Sequence, residues 1–281
     1  MPASRPGKTS SQGDRGRTPE FPRQVMPRNL IILRSSPDWI NFDLEKSRNF
    51  LRVRGIPEEL VIDFAALWNK HFKIDYCSIR ARLKSLALQT YKEVQGAILL
   101  RSEEWDGTEA ERISFVDDDD WMSRTLFESL PEKTSGEDGV RWGSLRFGRK
   151  FAADGYSDPI IMRRSLDRIV YTNNYAVTAR AFNRLGREAL FEHYHAQDAF
   201  DRPDFALTTC DMYLSCAVKH PCCTVSAMYL MSLDHFRADP RREMSRFMEA
   251  IDAMRLEDIP EWLREPVTGF RQIMTEAVRP R

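Results

Sequence analysis

In the segment Arg112 to Met122, RISFVDDDDWM, a short apolar run ends in four consecutive carboxylates. The first half carries the β-branched and aromatic residues of a buried strand, whereas four aspartates cannot continue a core without compensating partners. The apolar spacing from Trp121 to Phe127 predicts that a helix begins after the acids. We therefore expect a strand that delivers an acidic turn, Asp117 to Asp120, to the edge of a sheet.

The acidic turn needs positive charge beside it, because four adjacent carboxylates repel one another at neutral pH. Two hard oxygen ligands from one turn suit Mg²⁺ or Mn²⁺ better than Zn²⁺, and such an ion commonly holds phosphate. The alternative is a solvated acidic loop without a ligand, since acidic runs often serve no other purpose. The apolar flanks of this run favour the first interpretation.

Strand-like and helix-like patterns alternate along the rest of the chain. Predicted strands are Leu30–Leu33, Gly96–Leu100, Val140–Gly148 and Arg168–Val177. Predicted helices are Pro57 to Phe72, about Asp75 to Leu88, Met244 to Met254, and a final one from Trp262 onward. Continuously apolar strands between helices predict an α/β fold with a central mixed sheet, mostly parallel, flanked by helices and followed by a helical C-terminal region.

The chain divides into three parts by composition. Residues 1–28 are rich in Pro, Ser, Gly and Arg and poor in large apolar side chains, which predicts a disordered tail. Met26, just before the first apolar run, is a candidate for the true start of the protein. Residues 29–240 are expected to form the α/β domain, and residues 241–281 a C-terminal helical extension.

The charges of the chain cancel, with 42 basic and 42 acidic residues among 281. No global field recruits nucleic acid, so we expect no nucleic-acid partner. No apolar run is long enough to span a bilayer and no signal peptide precedes the first strand, which favours a cytoplasmic location; peripheral association with the membrane is left open. The five cysteines fit no zinc or disulfide pattern and are expected to be reduced thiols.

Three segments together resemble bacterial nucleotide-sugar glycosyltransferases of the GT-A fold, especially their rhamnosyltransferase-like group. The first is FVDDDDWM, similar to the family's strand-borne DxDD element. The second is SLALQTY, Ser85 to Tyr91, similar to the segment that closes an early helix. The third is TNNYAVTARAFNRLG with Gln197 and Asp198, similar to the acceptor-side segment. The order of these segments also matches that of the family.

The resemblance implies a role for each acid. Asp119 would be the direct ligand of a Mn²⁺ or Mg²⁺ ion on the donor diphosphate, and Asp117 would contact the ion or the ribose. His220, in VKHPCCTVS, resembles a late histidine that approaches the metal. Asp198 would be the general base, which takes the proton of the acceptor hydroxyl.

Further residues of the matching segments are candidate substrate contacts by the same resemblance. They are Asp118, Asp120, Trp121, Asn173, Asn174 and His195, and His193 and His195 are also candidates to tune or share the role of the base. Ordinary roles in turns, loops or the helix surface remain open for the histidines and asparagines.

The leading hypothesis is therefore a metal-dependent glycosyltransferase that moves a sugar such as rhamnose from a nucleotide donor to a saccharide or lipid-linked acceptor. Only RSEEWDGTEAE separates the second and third strands, whereas the family carries a longer donor segment there. A catalytically inactive, transferase-like binding protein is thus the alternative. A phosphohydrolase with an aspartate nucleophile is disfavoured, because Trp121 stands near the position where that class has Thr or Ser.

Overall fold

The computed structural model describes residues 29–34, 52, 64–101, 110–131, 138–148, 151–152, 155–156, 161–163, 173–186, 200–223, 227, 230–231 and 233–278. The strands are β1 Asn29–Arg34, β2 Ala97–Arg101, β3 Arg112–Asp117, β4 Trp121–Met122, β5 Gly139–Gly148, β6 Phe151–Ala152, β7 Gly155–Tyr156, β8 Ile161–Arg163, β9 Tyr175–Thr178 and β10 Leu207–Lys219. The helices are α1 Phe64–His71, α2 Tyr76–Lys92, α3 Ala179–Leu185, α4 Asp234–Ala238, α5 Pro240–Asp252 and α6 Glu261–Val278, with a 3₁₀ turn at Leu256–Asp258.

The described strands form one mixed sheet in the order β2-β1-β3-β9-β5-β10-β4, with β8 paired to β5 and a separate β6–β7 hairpin. Strands β2, β1 and β3 are parallel, and so are β5 and β10. The pairs β3–β9, β5–β9, β5–β8 and β4–β10 are antiparallel. The α/β fold with a mixed sheet and flanking helices is confirmed, but the sheet is less parallel than the sequence predicted.

The two faces of the sheet bury different cores, because successive strand residues point to opposite sides. On β1, Ile31 packs into the main core, which the helices α2, α5 and α6 cover. Leu30 and Ile32 face the other way into a smaller core with Phe115 and Tyr175.

Helix α2 begins where the sequence predicted it to begin, with Asp75 as its N-cap accepting a hydrogen bond from the backbone N–H of Ser78 at 2.9 Å. It continues to Lys92, past the predicted end at Leu88. The last turn is stabilised from outside the helix, because Thr90 and Tyr91 are buried against the acidic turn. Tertiary packing thus extends the helix beyond its local pattern.

One expectation about the sheet was wrong, and one strand was missed. The residues after the acids do not start a helix, because Trp121 and Met122 pair with Cys216 and Ser215 as an antiparallel strand. The long strand β10 was missed, because its first half is polar and is irregular in its pairing between Cys210 and Ser215. Its partners β4 and β5 are distant in sequence, so no local signal announces it.

The C-terminal helices α5 and α6 occur as predicted and pack into the main core through Phe247, Met248 and Phe270. Whether residues 241–281 are a separate unit stays a prediction. None of the described helices is long and apolar enough to cross a membrane. The predicted tail, the start of the first predicted helix before residue 64 and residues 168–172 lie outside the described residues.

Candidate functional site

The acidic turn lies where the parallel strands β1 and β3 end. Arg34, the last residue of β1, is the register partner of Asp117, and the backbone N–H of Asp118 donates to the carbonyl of Arg34 at 3.2 Å. Strand β2 lies on the other side of β1, so the chain changes direction across the sheet between β1 and β3. In open α/β sheets the carboxyl ends of strands at such a switch point form the ligand-binding crevice.

The first two carboxylates of the turn are neutralised by cations of the protein. The guanidinium of Arg34 lies 3.2 Å from the carboxylate of Asp117, whose side chain is 24% exposed. Lys84, on α2, forms an ion pair with Asp118, whose side chain is 20% exposed. The repulsion that the sequence predicted between adjacent acids is thus partly relieved without a ligand.

Asp120 is directed into the protein and is 1% exposed. One of its carboxylate oxygens accepts from the backbone N–H of Val218 at 3.0 Å, and the other accepts from the side-chain amide of Asn173 at 2.7 Å. The amide oxygen of Asn173 accepts in turn from the hydroxyl of Ser144 at 3.1 Å. Asp120 therefore ties the acidic turn to β10 and to the residues that precede β9.

Asp119 faces the residues that follow β10. Its carboxylate, a ring nitrogen of His220 and the sulfur of Cys223 lie within 4.8 Å of one another. Burial and the carboxylates of Asp117 and Asp118 raise the pKa of Asp119 to about 6, although the ammonium of Lys219 acts in the opposite direction. Asp119 is therefore the carboxylate of the turn that lies beside His220 and Cys223, the residues that follow β10.

The pKa of Asp120 is raised to about 8, chiefly by burial and then by the charge of Asp119. Burial alone would lower the pKa of Lys219, but the charges of Asp120, Cys223 and Asp119 outweigh it and raise the pKa. Lys219, the partly buried Asp119 and the buried Asp120 therefore form one electrostatic unit, in which the cation stabilises the negative charge.

His220 is 3% exposed, and burial, with Lys219 and Arg80 nearby, lowers its pKa to about 3. Its Nδ1 accepts a hydrogen bond from the backbone N–H of Cys222 at 3.1 Å. The neutral ring then carries its proton on Nε2, whereas a metal-bound histidine normally donates through the nitrogen that does not bind the metal. His220 is thus poorly arranged to ligate a metal in this geometry.

The donor set around Asp119 does not match a hard cation well. The thiol of Cys223 donates to the carbonyl of His220 at 2.9 Å and is a soft ligand, whereas Mg²⁺ and Mn²⁺ prefer oxygen. Asp117 is already paired with Arg34. These residues therefore do not fit Mg²⁺ or Mn²⁺ in this geometry, and metal ligation by Asp117, Asp119 and His220 stays a prediction.

Helix α2 holds the backbone of the acidic turn. The hydroxyl of the buried Tyr91 contacts the carbonyl of Asp117 and lies 2.5 Å from that of Asp120. Thr90 accepts from the backbone N–H of Met122 at 3.2 Å. The segment SLALQTY therefore stabilises the acidic turn, because its last two residues bind the backbone at both ends of the turn.

Other predicted site residues are placed inside the protein or beyond the described part. Trp121 is 1% exposed and packs on Phe147 and Phe270, and the amide of Asn174 donates to the carbonyl of Trp142 at 3.0 Å. Asp198, His193 and His195 lie outside the described residues. Substrate contacts by these residues, and by Asp118, Asp120 and Asn173, stay predictions.

Sequence reasoning missed the cations that surround the turn, which are Arg34, Lys84 and Lys219, and it also missed the neighbouring thiol of Cys223. Arg34 has a weak signal, since it ends a predicted strand that lies beside β3. Lys84 and Lys219 have none, because helix and strand lysines usually face solvent. Their role depends on contacts between segments that are far apart in the sequence.

A cavity of about 410 Å³ lies beside the turn, between α2, residues 122–125 and the start of α6. Its wall includes Thr90 and Met122, which also support the acidic turn. The partly buried ring of Trp262 faces it together with hydroxyl, amide and carboxylate groups, which are Thr90, Ser123, Thr125, Gln89, Glu93, Glu261 and Glu265. An aromatic ring among such groups suits a ligand rich in hydroxyls.

No protein-family model matches the chain, and no curated protein matches it in sequence. Among solved structures, the crystal structure of S. aureus TarS 1-349 in complex with UDP-GlcNAc aligns with 88% of this chain and 90% of its own, at 9% sequence identity and a TM-score of 0.28. A TM-score this low carries no argument about the fold or the activity of this chain.

Proposed function

We propose that the chain is a glycosyltransferase that binds the diphosphate of a nucleotide-sugar donor at the acidic turn. The observation that carries the proposal is the position of Asp117–Asp120, at the carboxyl ends of β1 and β3 where the chain changes direction across the sheet. This is the usual ligand crevice of open α/β sheets. The resemblance of FVDDDDWM to the transferase element supports the same location.

In the proposed reaction the acceptor oxygen bonds to the anomeric carbon of the donor sugar while the bond from that carbon to the diphosphate breaks. The electron pair of the broken bond leaves with the nucleoside diphosphate, and the acceptor proton passes to a base, for which Asp198 is the candidate. The cavity beside Trp262 is the candidate location of a saccharide acceptor. Rhamnose as the sugar and a divalent cation as cofactor stay predictions.

Calorimetric titration with UDP, dTDP and GDP, each with Mn²⁺ and in EDTA, tests the proposal on the wild type and on Asp119→Asn. We expect one nucleotide to bind the wild type and to bind the variant at least about tenfold more weakly, because Asp119 fixes the charged groups around it. If a demonstrably folded wild type binds none of the three nucleotides, the transferase proposal is wrong.

A second candidate, a transferase-like protein without catalysis, is favoured by one observation. Asp117, Asp118 and Asp120 all have partners within the protein, so the turn is stable as a structural feature alone. In that case substitution of Asp119 changes stability and leaves no nucleotide affinity to lose. The titration above distinguishes the two candidates.

A further inference from the structure

We propose that Lys219, rather than a divalent cation, supplies the positive charge that holds the donor phosphates at the acidic turn. The inference rests on the proposed function and specifies its cofactor requirement. It starts from the charges that the fold brings to the turn from segments distant in the sequence.

The first three carboxylates of the turn each face a cation of the protein. Arg34 pairs with Asp117 and Lys84 pairs with Asp118. Lys219 is the principal positive charge acting on Asp119. Asp120 needs no ion, because both of its oxygens accept from N–H donors. The turn therefore lacks the uncompensated charge from which the sequence predicted a metal ion.

The position of Lys219 is fixed by the strands around it. Val218, its neighbour, donates to Asp120, and His220, its other neighbour, lies in the group that surrounds the carboxylate of Asp119. Gly148 on β5 pairs with Lys219 at a φ of 95°, where a Cβ would lie 1.9 Å from the carbonyl oxygen of Lys219. Only glycine allows β5 to approach this closely, so the backbone of Lys219 is held in place.

Lys219 is neither fully buried nor exposed, and its ammonium has room for further hydrogen bonds. No hydrogen bond of its three N–H donors is found within the described part of the chain, although Asp119 and Asp120 are near enough to shift its pKa. An ammonium is a compact charge with rotatable donors, which suits an oxygen of a phosphate. The acids then orient the lysine, and the lysine offsets the charge that the departing diphosphate gains.

Nucleotide titrations in EDTA and in Mn²⁺ test the inference directly on the wild type. We expect the nucleotide that binds to do so in EDTA with an affinity within about twofold of that in Mn²⁺. Lys219→Met should weaken binding in EDTA by about 10- to 100-fold, the usual effect of losing a hydrogen bond between charged groups. Lys219→Arg, which keeps the charge, should retain part of the affinity.

Lys92→Met is the matched control, because Lys92 is an exposed residue at the end of α2. It should bind like the wild type. Binding that requires Mn²⁺, or equal affinities of Lys219→Met and the wild type in EDTA, would overturn the role of Lys219 and leave the proposed function intact. Absence of nucleotide binding under both conditions would overturn the proposed function and, with it, this inference. The EDTA comparison needs only the wild type, so it stays decisive if the methionine variant does not fold.

Discussion

Asp118 and Asp120 stand two positions apart in one run of identical residues, yet the structure gives them opposite environments. Asp118 is partly exposed and pairs with a lysine of α2, whereas Asp120 is buried and accepts from Val218 and Asn173. If Asp118 is removed, water and counterions can reach its partner Lys84. The N–H groups that donate to Asp120, in contrast, are closed to water. The loss of stability on removing a carboxylate therefore depends on which groups are left without a hydrogen-bond partner, and not on the residue type.

The largest expected effect comes from removing the buried member of this pair. Asp120→Ala should lower the free energy of unfolding by about 3 kcal/mol, because the N–H of Val218 and the amide of Asn173 lose their acceptor in a site closed to water. Asp118→Ala should lower it by less than about 1 kcal/mol, as for other ion pairs near the surface. Urea unfolding of both variants measures the difference, and equal losses in the free energy of unfolding would contradict the contrast between the two environments.

The pH dependence of stability provides a second test of the buried environment of Asp120. The pKa of Asp120 rises from an ordinary value of 3.8 to about 8 on folding, so the folded state binds more protons between these values. The contribution of this group to stability is therefore present at low pH and is lost as pH rises toward about 8. Asp120→Asn should flatten the decline of stability between about pH 5 and pH 8, which urea unfolding of the variant and the wild type at a series of pH values measures. A steeper decline in Asp120→Asn would contradict the assignment.

A smaller effect is expected where the turn is held only through its backbone. Tyr91→Phe should cost about 1 to 2 kcal/mol, because its hydroxyl bonds the carbonyls of Asp117 and Asp120. Tyr175→Phe is the matched control, since the hydroxyl of Tyr175 is buried without a hydrogen-bond partner in the described part of the chain. It should cost nothing or stabilise the protein. Thermal unfolding compares the two, and a Tyr175 variant as unstable as the Tyr91 variant would refute this account.

Burial of the acids also explains why two chemically similar groups would respond differently to a ligand. The carboxylate of Asp119 is directed toward Lys219 and His220, so a phosphate near it would interact with charges that are already positioned. Asp120 has both oxygens engaged and acts on the site through the strands that it connects. Substitution of Asp119, but not of Asp120, is expected to change nucleotide affinity without a large change in stability.

The elements that repeat a local pattern could be predicted from the amino-acid sequence alone. The strands β1, β2, β3 and β5 and the helices α2, α5 and α6 were predictable, because apolar residues recur along them with the period of the element. The end of a buried strand also announced the acidic turn, since four carboxylates cannot continue a core.

The cations beside the carboxylates of the acidic turn and the order of the strands could be known only from the tertiary structure. Lys84 and Asp118 meet across 34 positions, and Arg34 and Lys219 arrive from β1 and β10. Strand β4 exists because β10 pairs with it, although the residues after the acids suggest a helix. Electrostatic and strand partners depend on distance in space, which a local pattern does not record, so the same four letters allow a metal site or a set of internal ion pairs until the fold brings the cations beside them.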